Sequence, residues 1–348
     1  MLRSLALRHF RCFEKYEAEF APGLNLIVGP NAHGKTSLLE GACILLRLQS
    51  PRVSRLAEVV QHERRGFVVD GYFQERHLQF YYSAARRKLA LDGVEQKTTR
   101  DYLQVGRLVY FAMSDIDLVR GGGEIRRRFL DFVAGQLDPL HPKALRAYER
   151  ALRSRNALLK ASAQRWREIE AFDAPLLAAG GELMSARAQL LVALQPHAGE
   201  AHRAISSSRE ELALEYVPGA GEDFPVSLVA SREEDARLRQ TTVGPHRDDV
   251  QFRLNERSSG FASEGQQRTL VLALKLGAAR LLYERFGEAP LLLLDDIFGE
   301  LDTSRRRALL AALPAESQKL ITTTSLAWRP EGEEGRVLRL GEMGAVDR

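Results

Sequence analysis

The sequence lacks features that define several classes of protein. It has only two cysteines, Cys12 and Cys43, in 348 residues, so a disulfide framework is excluded by count and no metal-ligand spacing exists. No stretch approaches the roughly 20 apolar residues that a membrane span needs. The N-terminus alternates apolar and polar residues and has no long apolar core of a signal peptide. We therefore expect a cytoplasmic protein with no membrane partner.

Positive and negative charges nearly balance over the whole chain, but the positive charges are concentrated in one stretch. The formal net charge is +4, whereas residues 120–167 hold twelve Lys and Arg against four acids, a local net of +8. Hydrophobic residues make up 45% and charged residues 28%, a composition typical of a globular protein with room for two domains. The basic stretch is the part of the chain that favours a nucleic acid partner.

A glycine loop near the N-terminus has the pattern of a phosphate site. Residues 29–36 read G-x-x-x-x-G-K-T, after the apolar run 24–28 and before the helix-compatible run 37–46. In this context the glycines allow a tight turn, Lys35 reaches the β- and γ-phosphates, and the Thr36 hydroxyl ligates Mg²⁺. The candidate nucleotide-binding residues are Gly29, Pro30, Asn31, Ala32, His33, Gly34, Lys35, Thr36 and Ser37.

A second part of the site is predicted far downstream. Residues 291–294 are four leucines, followed by Asp295 and Asp296, which indicates a buried parallel strand that ends in two carboxylates. We expect this strand to lie beside the strand before the glycine loop, with Asp295 completing the Mg²⁺ site. Asp296 is then the catalytic group that activates water, together with Lys35. The alternative is a solvated acidic turn.

A helix start at Ser263 completes the order of motifs. Ser263 and Gln266 have the spacing of a capping box, and the same geometry exposes N–H groups that bind an anion. A phosphate loop, a distant Ser-x-Gly-Gln helix start and an apolar strand with two acids follow the order of an ATP-binding-cassette ATPase. The stretch 299–302 resembles the D-loop of those ATPases and adds Asp302.

The pattern of elements predicts an α/β fold with two lobes. Residues 1–112 and 281–348 are expected to form an ATPase core lobe around a parallel or mixed sheet. Residues 113–280 are expected to form a second, largely helical lobe that ends in the signature helix. The Ala-, Leu- and Arg-rich run 123–195 reads as helices, and Pro196 is expected to end the last of them. No heptad repeat predicts a long coiled coil.

Further stretches make the resemblance specific. They are residues 119–122, 126–131, 242–249 and 294–302, together with the opening segment 5–13. With the three motifs above, they resemble the SMC-like branch of these ATPases and, within it, the RecF family of bacterial recombination mediators. The resemblance runs from about residue 2 to residue 325.

The resemblance implies a function and partners that cannot be inferred from composition. It implies an ATP-driven homodimer in which Ser263, Gly265 and Gln266 of one subunit contact the γ-phosphate held by Lys35 of the other. It implies binding of DNA that is gapped, single-stranded or duplex next to a gap. It also implies recombinase loading, a contribution to the SOS response, and RecR and RecO as partners.

Two departures from the superfamily pattern affect the expected chemistry. The apolar strand ends in Asp-Asp where many relatives have Asp-Glu, and the shorter side chain at Asp296 predicts slow hydrolysis. The switch histidine expected after residues 319–321 is absent. One of the three threonines at 322–324 would then have to sense the γ-phosphate.

The DNA-binding candidates lie in the basic stretch. They are Arg126, Arg127, Arg128, Arg146 and Arg150, with Arg153 and Arg155 on the same predicted helix. Binding through such residues would be salt-sensitive and indifferent to sequence. The alternative for the 146–155 set is a solvated helical face. Two other functions remain open, a transporter nucleotide-binding subunit and an ATP-gated binding module without catalysis.

Overall fold

The computed structural model describes residues 1–206, 210–299, 301–326, 328 and 335–341. These residues group into two compact units. Unit 1 contains the described residues of Met1–Asp115 and Ala278–Arg348, and unit 2 contains those of Ile116–Gly277. Glu300, in the middle of the D-loop-like stretch, and residues 342–348, at the end of the predicted core lobe, lie outside the described residues.

Most of the described strands lie in unit 1, and the other three, between residues 212 and 258, lie in unit 2. In chain order they are β1 (Leu2–Phe10), β2 (Phe13–Glu19), β3 (Leu24–Val28), β4 (Gly66–Phe73), β5 (Arg76–Ser83), β6 (Arg87–Leu91), β7 (Val94–Glu95), β8 (Leu108–Ala112), β9 (Leu212–Val217), β10 (Asp249–Leu254), β11 (Arg257–Ser258), β12 (Leu291–Asp295), β13 (Lys319–Thr323) and β14 (Arg336–Arg339).

The described helices are concentrated in unit 2, as the composition of residues 123–195 predicts. In chain order they are α1 (Lys35–Arg47), α2 (Arg100–Gln104), α3 (Asp117–Arg120), α4 (Gly123–Leu137), α5 (His141–Leu159), α6 (Trp166–Glu170), α7 (Asp173–Ile205), α8 (Phe224–Ala230), α9 (Arg232–Leu238), α10 (Glu264–Phe286) and α11 (Thr303–Ala312). The longest of these described helices has 33 residues. None of them has the length and apolar character needed to cross a membrane.

Unit 1 is built from two sheets with a helix in contact with both. An antiparallel sheet has the order β2-β1-β4-β5-β6-β7, and a parallel sheet has the order β14-β3-β13-β12-β8. Helix α1 contacts strands of both sheets. The four leucines of β12 are at most 1% exposed, which confirms the prediction of a parallel strand buried on both faces. The predicted α/β fold is thus confirmed.

The expected neighbour of β12 was wrong. Strand β13, rather than β12, lies beside β3, because β13 pairs with both β3 and β12. Leu320 and Ile321 of β13 are fully buried, so this strand is as well suited to an interior position as β12. All three strands are parallel and end at the same edge of the sheet. Asp295 therefore still lies at the edge from which the glycine loop leaves.

Unit 2 combines a helical core with a small antiparallel sheet. The sheet has the order β11-β10-β9. Helices α5 and α7 pack against each other, and α8 contacts α7; Phe224 of α8 belongs to the same buried cluster as Tyr148, Leu176 and Leu183. This cluster is the hydrophobic core that keeps α5 in place, and α5 carries most of the exposed arginines discussed below.

Helix α7 does not end where the sequence predicts. It continues through Pro196 to Ile205, so the prediction that Pro196 ends the helix was wrong. A proline removes the hydrogen bond to the carbonyl four residues earlier. That carbonyl belongs to Val192, which is 77% exposed, so water can satisfy it. Leu194 and Ala198 on either side are fully buried, and this packing favours a continuous helix.

Candidate functional site

The glycine loop of unit 1 connects the end of β3 to the start of α1. Gly34 has φ of +93° and Ala32 has φ of +67°, so the chain turns sharply just before Lys35 begins the helix. A left-handed residue next to a helix start is a position that glycine tolerates without strain. The turn leaves the first N–H groups of α1 directed toward the loop, the arrangement that binds phosphate at helix N-termini.

The side chain of Lys35 packs against the glycine loop. Its ammonium group donates to the carbonyl oxygens of Gly29 and Pro30, each at 2.8 Å, and the residue is 6% exposed. Burial lowers the pKa of Lys35, while the carboxylates of Asp296 and Asp295 act to raise it. A negatively charged ligand in the loop would oppose the effect of burial and favour the charged ammonium.

The carboxylate of Asp295 accepts hydrogen bonds from three hydroxyl groups. Thr36 Oγ1 and Thr322 Oγ1 each donate to Asp295 Oδ1 at 2.8 Å, and the Tyr110 hydroxyl donates to Oδ2 at 2.9 Å. The donors come from the start of α1, the end of β13 and β8. Asp295 therefore fixes the positions of three elements around the end of β12.

Tyr110 is a site residue that sequence reasoning missed. Burial raises the pKa of Tyr110 well above its usual value, and the neighbouring Asp295 carboxylate adds to the effect, so the hydroxyl stays protonated and donates. Its contact with Asp295 depends on the parallel pairing of β8 with β12, in which Tyr110 lies opposite Leu293. No spacing in the sequence reveals that register.

Asp296 has an unusual backbone conformation. Its φ is +52°, a left-handed conformation that costs a non-glycine residue about 1–2 kcal/mol. The backbone N–H of Asp296 donates to Thr322 Oγ1 at 2.9 Å, which helps to hold this conformation. Thr322, considered from the sequence as a γ-phosphate sensor, thus contacts both strand-end acids. Strained residues of this kind persist where the surrounding structure over-determines them.

The turn between β1 and β2 packs against the glycine loop. A Cβ atom at Gly34 would lie 2.5 Å from Phe13 Cζ and 2.9 Å from Cys12 Sγ. This turn is held in place by Arg11, whose Nε and Nη2 donate to the buried carboxylate of Glu40 on α1, each at 2.8 Å. Gly34 is therefore required both by its backbone conformation and by the space around it.

The oxygens at this site suit a hard cation. Thr36 Oγ1 and Asp295 Oδ1 lie 2.8 Å apart. Mg²⁺ takes oxygen ligands and is commonly held by one or two protein groups together with phosphate oxygens and waters. One hydroxyl and one carboxylate at the end of a strand fit that requirement.

The predicted signature residues lie in unit 2. The Ser263 N–H donates to Gln266 Oε1 at 2.7 Å and the Gln266 N–H donates to Ser263 Oγ at 3.3 Å, so the capping box exists at the start of α10. Gln266 also donates through Nε2 to Glu210. Ser263 itself is exposed, and Gly265 is the second residue of the helix. The anion-binding role of this helix start stays a prediction.

Asp302 occupies a helix start in unit 1. It is the N-cap of α11, and its carboxylate accepts from the Arg305 N–H at 2.8 Å and from Ser304 Oγ at 2.6 Å. Its predicted role in nucleotide binding is therefore additional to a structural role as a cap.

Two of the predicted DNA-binding arginines are held by internal partners in unit 2. Arg126 makes a bidentate contact with Asp249 and donates to two backbone carbonyls, and its side chain is 12% exposed. Arg127 donates to the carbonyl of Asp248. Arg128 is exposed.

Arg155 does not lie on the predicted basic surface. It is fully buried between Asp173 and Asp235, because its helix position faces the core rather than solvent. The exposed basic residues of α5 follow helical spacing along one face and define what we call the α5 basic face. These residues are Lys143, Arg146, Arg150 and Arg153.

The glycine loop, the paired strand-end acids and the parallel sheet between them define a phosphate-loop ATPase head of the ATP-binding-cassette type. The sequence matches the RecF/RecN/SMC N-terminal domain over residues 1–328, and the chain belongs to this family. The family predicted from the sequence motifs is thus confirmed.

Relatives named DNA replication and repair protein RecF match nearly the whole chain. The protein from Thermosynechococcus vestitus is 39% identical, with 95% of this chain and 94% of the relative covered. The one from Halalkalibacterium halodurans is 35% identical, with 93% of each chain covered.

Solved structures give the same result at the level of the fold. The recombination mediator protein RecF of the RecFOR pathway, solved with ATP, is 30% identical, with a TM-score of 0.85 over 97% of this chain and 95% of that one. An Smc head bound to the C-terminal winged-helix domain of ScpA is 15% identical, with a TM-score of 0.52 over 93% and 90%, and shares the fold alone.

We predict that Gly34→Ala weakens ATP binding by about tenfold or more. The left-handed conformation costs an alanine about 1–2 kcal/mol, and the new methyl group would clash with Phe13, so the loop would leave the conformation that binds phosphate. Equilibrium titration with a fluorescent ATP analogue measures the effect.

Gly93→Ala is the matched control. Gly93 has a similar φ of +78°, but no atom lies within 4 Å of a Cβ built there. It should bind the analogue as the wild type does. Equal affinities for all three proteins would contradict the role assigned to the Gly34 turn.

Proposed function

We propose that this chain is a cytoplasmic, ATP-dependent DNA-binding protein of recombinational repair and replication-gap processing. The observation that carries the proposal is the contact of Thr36 with Asp295, beside Lys35 and Asp296, at the carboxyl edge of a parallel sheet. The similarity of almost the whole chain to RecF solved with ATP supports ATP as the nucleotide. The relatives named for DNA replication and repair support the cellular role.

The proposed chemistry is a slow hydrolysis of MgATP. Loop N–H groups and Lys35 bind the phosphates, and Thr36 with Asp295 holds Mg²⁺, which neutralises charge on the phosphate oxygens. Asp296 accepts a proton from the attacking water or orients it. The short side chain of Asp296 reaches less far than a glutamate would, and for this reason we expect hydrolysis to be slow.

The proposed consequence of ATP binding is a homodimer. Ser263, Gly265 and Gln266 of one subunit contact the terminal phosphate held by Lys35 of the other, with Asp302 near the same nucleotide. The exposed position of Ser263 at the start of a 23-residue helix supports this role, since such a position attracts anions. ATP acts here as a ligand that shifts the population toward the dimer, and hydrolysis releases it.

The proposed DNA contact is the α5 basic face together with Arg128. Helical spacing places the four cations of this face along one line, which suits the regularly spaced phosphates of a nucleic acid backbone. The dimer then holds gapped, single-stranded or gap-adjacent duplex DNA and supports recombinase loading and the SOS response. RecR and RecO are the proposed protein partners, in agreement with the RecFOR pathway named for the solved relative.

The alternatives to this function differ in support. The match to the RecF/RecN/SMC N-terminal domain over residues 1–328 favours a DNA-repair ATPase over a transporter nucleotide-binding subunit. An ATP-gated binding module without catalysis differs from the proposal in one respect, because it would release no phosphate above the level of Asp296→Asn.

We predict that Lys35→Met and Ser263→Arg both abolish ATP-dependent dimerisation, for different reasons. Lys35→Met removes the charge that binds the phosphates, so the variant should neither bind ATP nor dimerise. Ser263→Arg should bind ATP normally and remain monomeric, because Ser263 acts on the nucleotide of the other subunit. Sedimentation velocity with a non-hydrolysable ATP analogue, combined with analogue titration, separates the two.

Ser185→Arg is the control for the added arginine, since Ser185 is an exposed serine within α7. It should dimerise as the wild type does. Loss of ATP binding in Ser263→Arg would place Ser263 in the site of its own subunit and refute the proposed arrangement.

We predict that Arg146→Gln/Arg150→Gln weakens ATP-dependent binding to gapped DNA. Each phosphate contact contributes about 0.9 to the slope of log K against log salt concentration, so the slope should fall by about 2. Fluorescence anisotropy with labelled gapped DNA at several salt concentrations measures it.

The matched control for this pair removes the same charge elsewhere in unit 2. Arg165 and Arg237 are exposed and paired with Glu168 and Glu234. The double variant Arg165→Gln/Arg237→Gln should keep the wild-type slope. If the two double variants lose equal affinity, the effect is one of net charge and the α5 basic face is not the contact.

A further inference from the structure

Phe298 and Trp328 form a stacked aromatic pair close in sequence to Asp296 and to the end of β13 in unit 1. Their ring centroids lie 4.3 Å apart and the ring planes are inclined by only 5°. Phe298 is fully buried and lies two residues after Asp296, within the short 3₁₀ turn Ile297–Gly299. Trp328 lies five residues after the end of β13. The pair thus joins the segments that leave the sheet from two neighbouring strands.

A hydrogen bond connects Trp328 to the end of β13. Its indole Nε1–H donates to Thr323 Oγ1 at 2.9 Å, and the Thr323 hydroxyl in turn donates to the Ser325 carbonyl at 2.8 Å. The orientation of the Thr323 hydroxyl is therefore set. The indole of Trp328 is thus fixed by its hydrogen bond to Thr323 and by stacking on the Phe298 ring.

These contacts form a closed cycle around Asp296. The backbone leads from Asp296 to Phe298, the stack leads to Trp328, the indole N–H leads to Thr323, and the adjacent Thr322 accepts from the Asp296 N–H at 2.9 Å. Asp296 is the residue with the left-handed φ of +52°. A conformation that is unfavourable on its own needs support from its surroundings, and the cycle provides it from both sides.

We propose that the Phe298–Trp328 stack is a positioning device that holds the Asp296 backbone in its left-handed conformation and so sets the rate of ATP hydrolysis. The inference rests on the proposed function of Asp296. Phe298 and Trp328 are positioning residues, since they act through Asp296. Their removal should affect the chemical step and leave ATP binding, which depends on Lys35 and the loop, unchanged.

The test is the dependence of phosphate release on MgATP concentration in the full chain. Misplacing a catalytic group by about 1 Å can cost up to about a hundredfold in rate, so Trp328→Ala should lower kcat by about tenfold to a hundredfold. KM should stay as in the wild type. Trp328→Phe keeps an aromatic ring for the stack but loses the indole N–H that donates to Thr323, so it should restore kcat in part. Trp328→Ala combined with Phe298→Ala should lose no more than Trp328→Ala alone, because both remove one contact.

A spectroscopic measurement tests the stack without hydrolysis. The chain has two tryptophans, so in Trp166→Phe the emission comes from Trp328 alone. Trp166 lies in α6 of unit 2, and Trp166→Phe itself should leave kcat and KM unchanged. Adding Phe298→Leu to it should shift the Trp328 emission to longer wavelength, since the ring loses its partner.

Each other outcome overturns the inference. A Trp328→Ala protein with wild-type kcat refutes the role in hydrolysis. A raised KM with unchanged kcat shows a role in nucleotide binding instead. Equal losses in Trp328→Phe and Trp328→Ala refute the stack as the cause and assign the effect to the indole hydrogen bond with Thr323. A wild type that releases phosphate no faster than Asp296→Asn refutes the proposed ATPase function itself, and the inference falls with it. Emission that does not respond to Phe298→Leu shows that the stack does not form.

Discussion

The carboxylate of Asp295 is the group around which the site of unit 1 is arranged. It accepts hydroxyl hydrogen bonds from Thr36, Tyr110 and Thr322, which belong to a helix start and to the two strands that flank β12. A half-buried carboxylate is costly unless its oxygens are satisfied. Three donors meet that cost and also fix the distance between the phosphate loop and the strand-end acids. The parallel sheet matters to function because it brings these donors to one edge.

Two residues with a left-handed backbone conformation also shape the site. Gly34, in the glycine loop, and Asp296, after the end of β12, both have positive φ. At Gly34 the residue type removes the strain, and at Asp296 the surrounding contacts sustain it. The first arrangement gives a loop that fits phosphate. The second occurs at Asp296, the residue proposed to activate water, directly after the end of β12. The ion pair of Arg11 with the buried Glu40 supports the first arrangement from the turn between β1 and β2.

Local features of each unit could be predicted from the sequence, whereas long-range features could not. The β3–loop–α1 unit, the leucine strand before Asp295 and the helix after Ser263 are encoded by contiguous residues, so pattern and propensity suffice. The position of β13 between β3 and β12, and the contact of Tyr110 with Asp295, depend on strand order and register. The internal pairing of Arg126 and the burial of Arg155 depend on which helix face meets the core. Pro196 is a further example: the proline predicts the end of a helix, but α7 continues through it because the residues on either side are packed in the core.

The most direct test of the account is the effect of Mg²⁺ on ATP affinity in the wild type and in Asp295→Asn. Asparagine keeps the shape of the side chain and removes the charge that would bind the cation. Changes to the groups around a metal site cost about tenfold to a hundredfold in metal affinity, so we expect Mg²⁺ to strengthen binding of a fluorescent ATP analogue in the wild type and to have little effect in Asp295→Asn. An equal gain from Mg²⁺ in both proteins would contradict the central position given to this carboxylate.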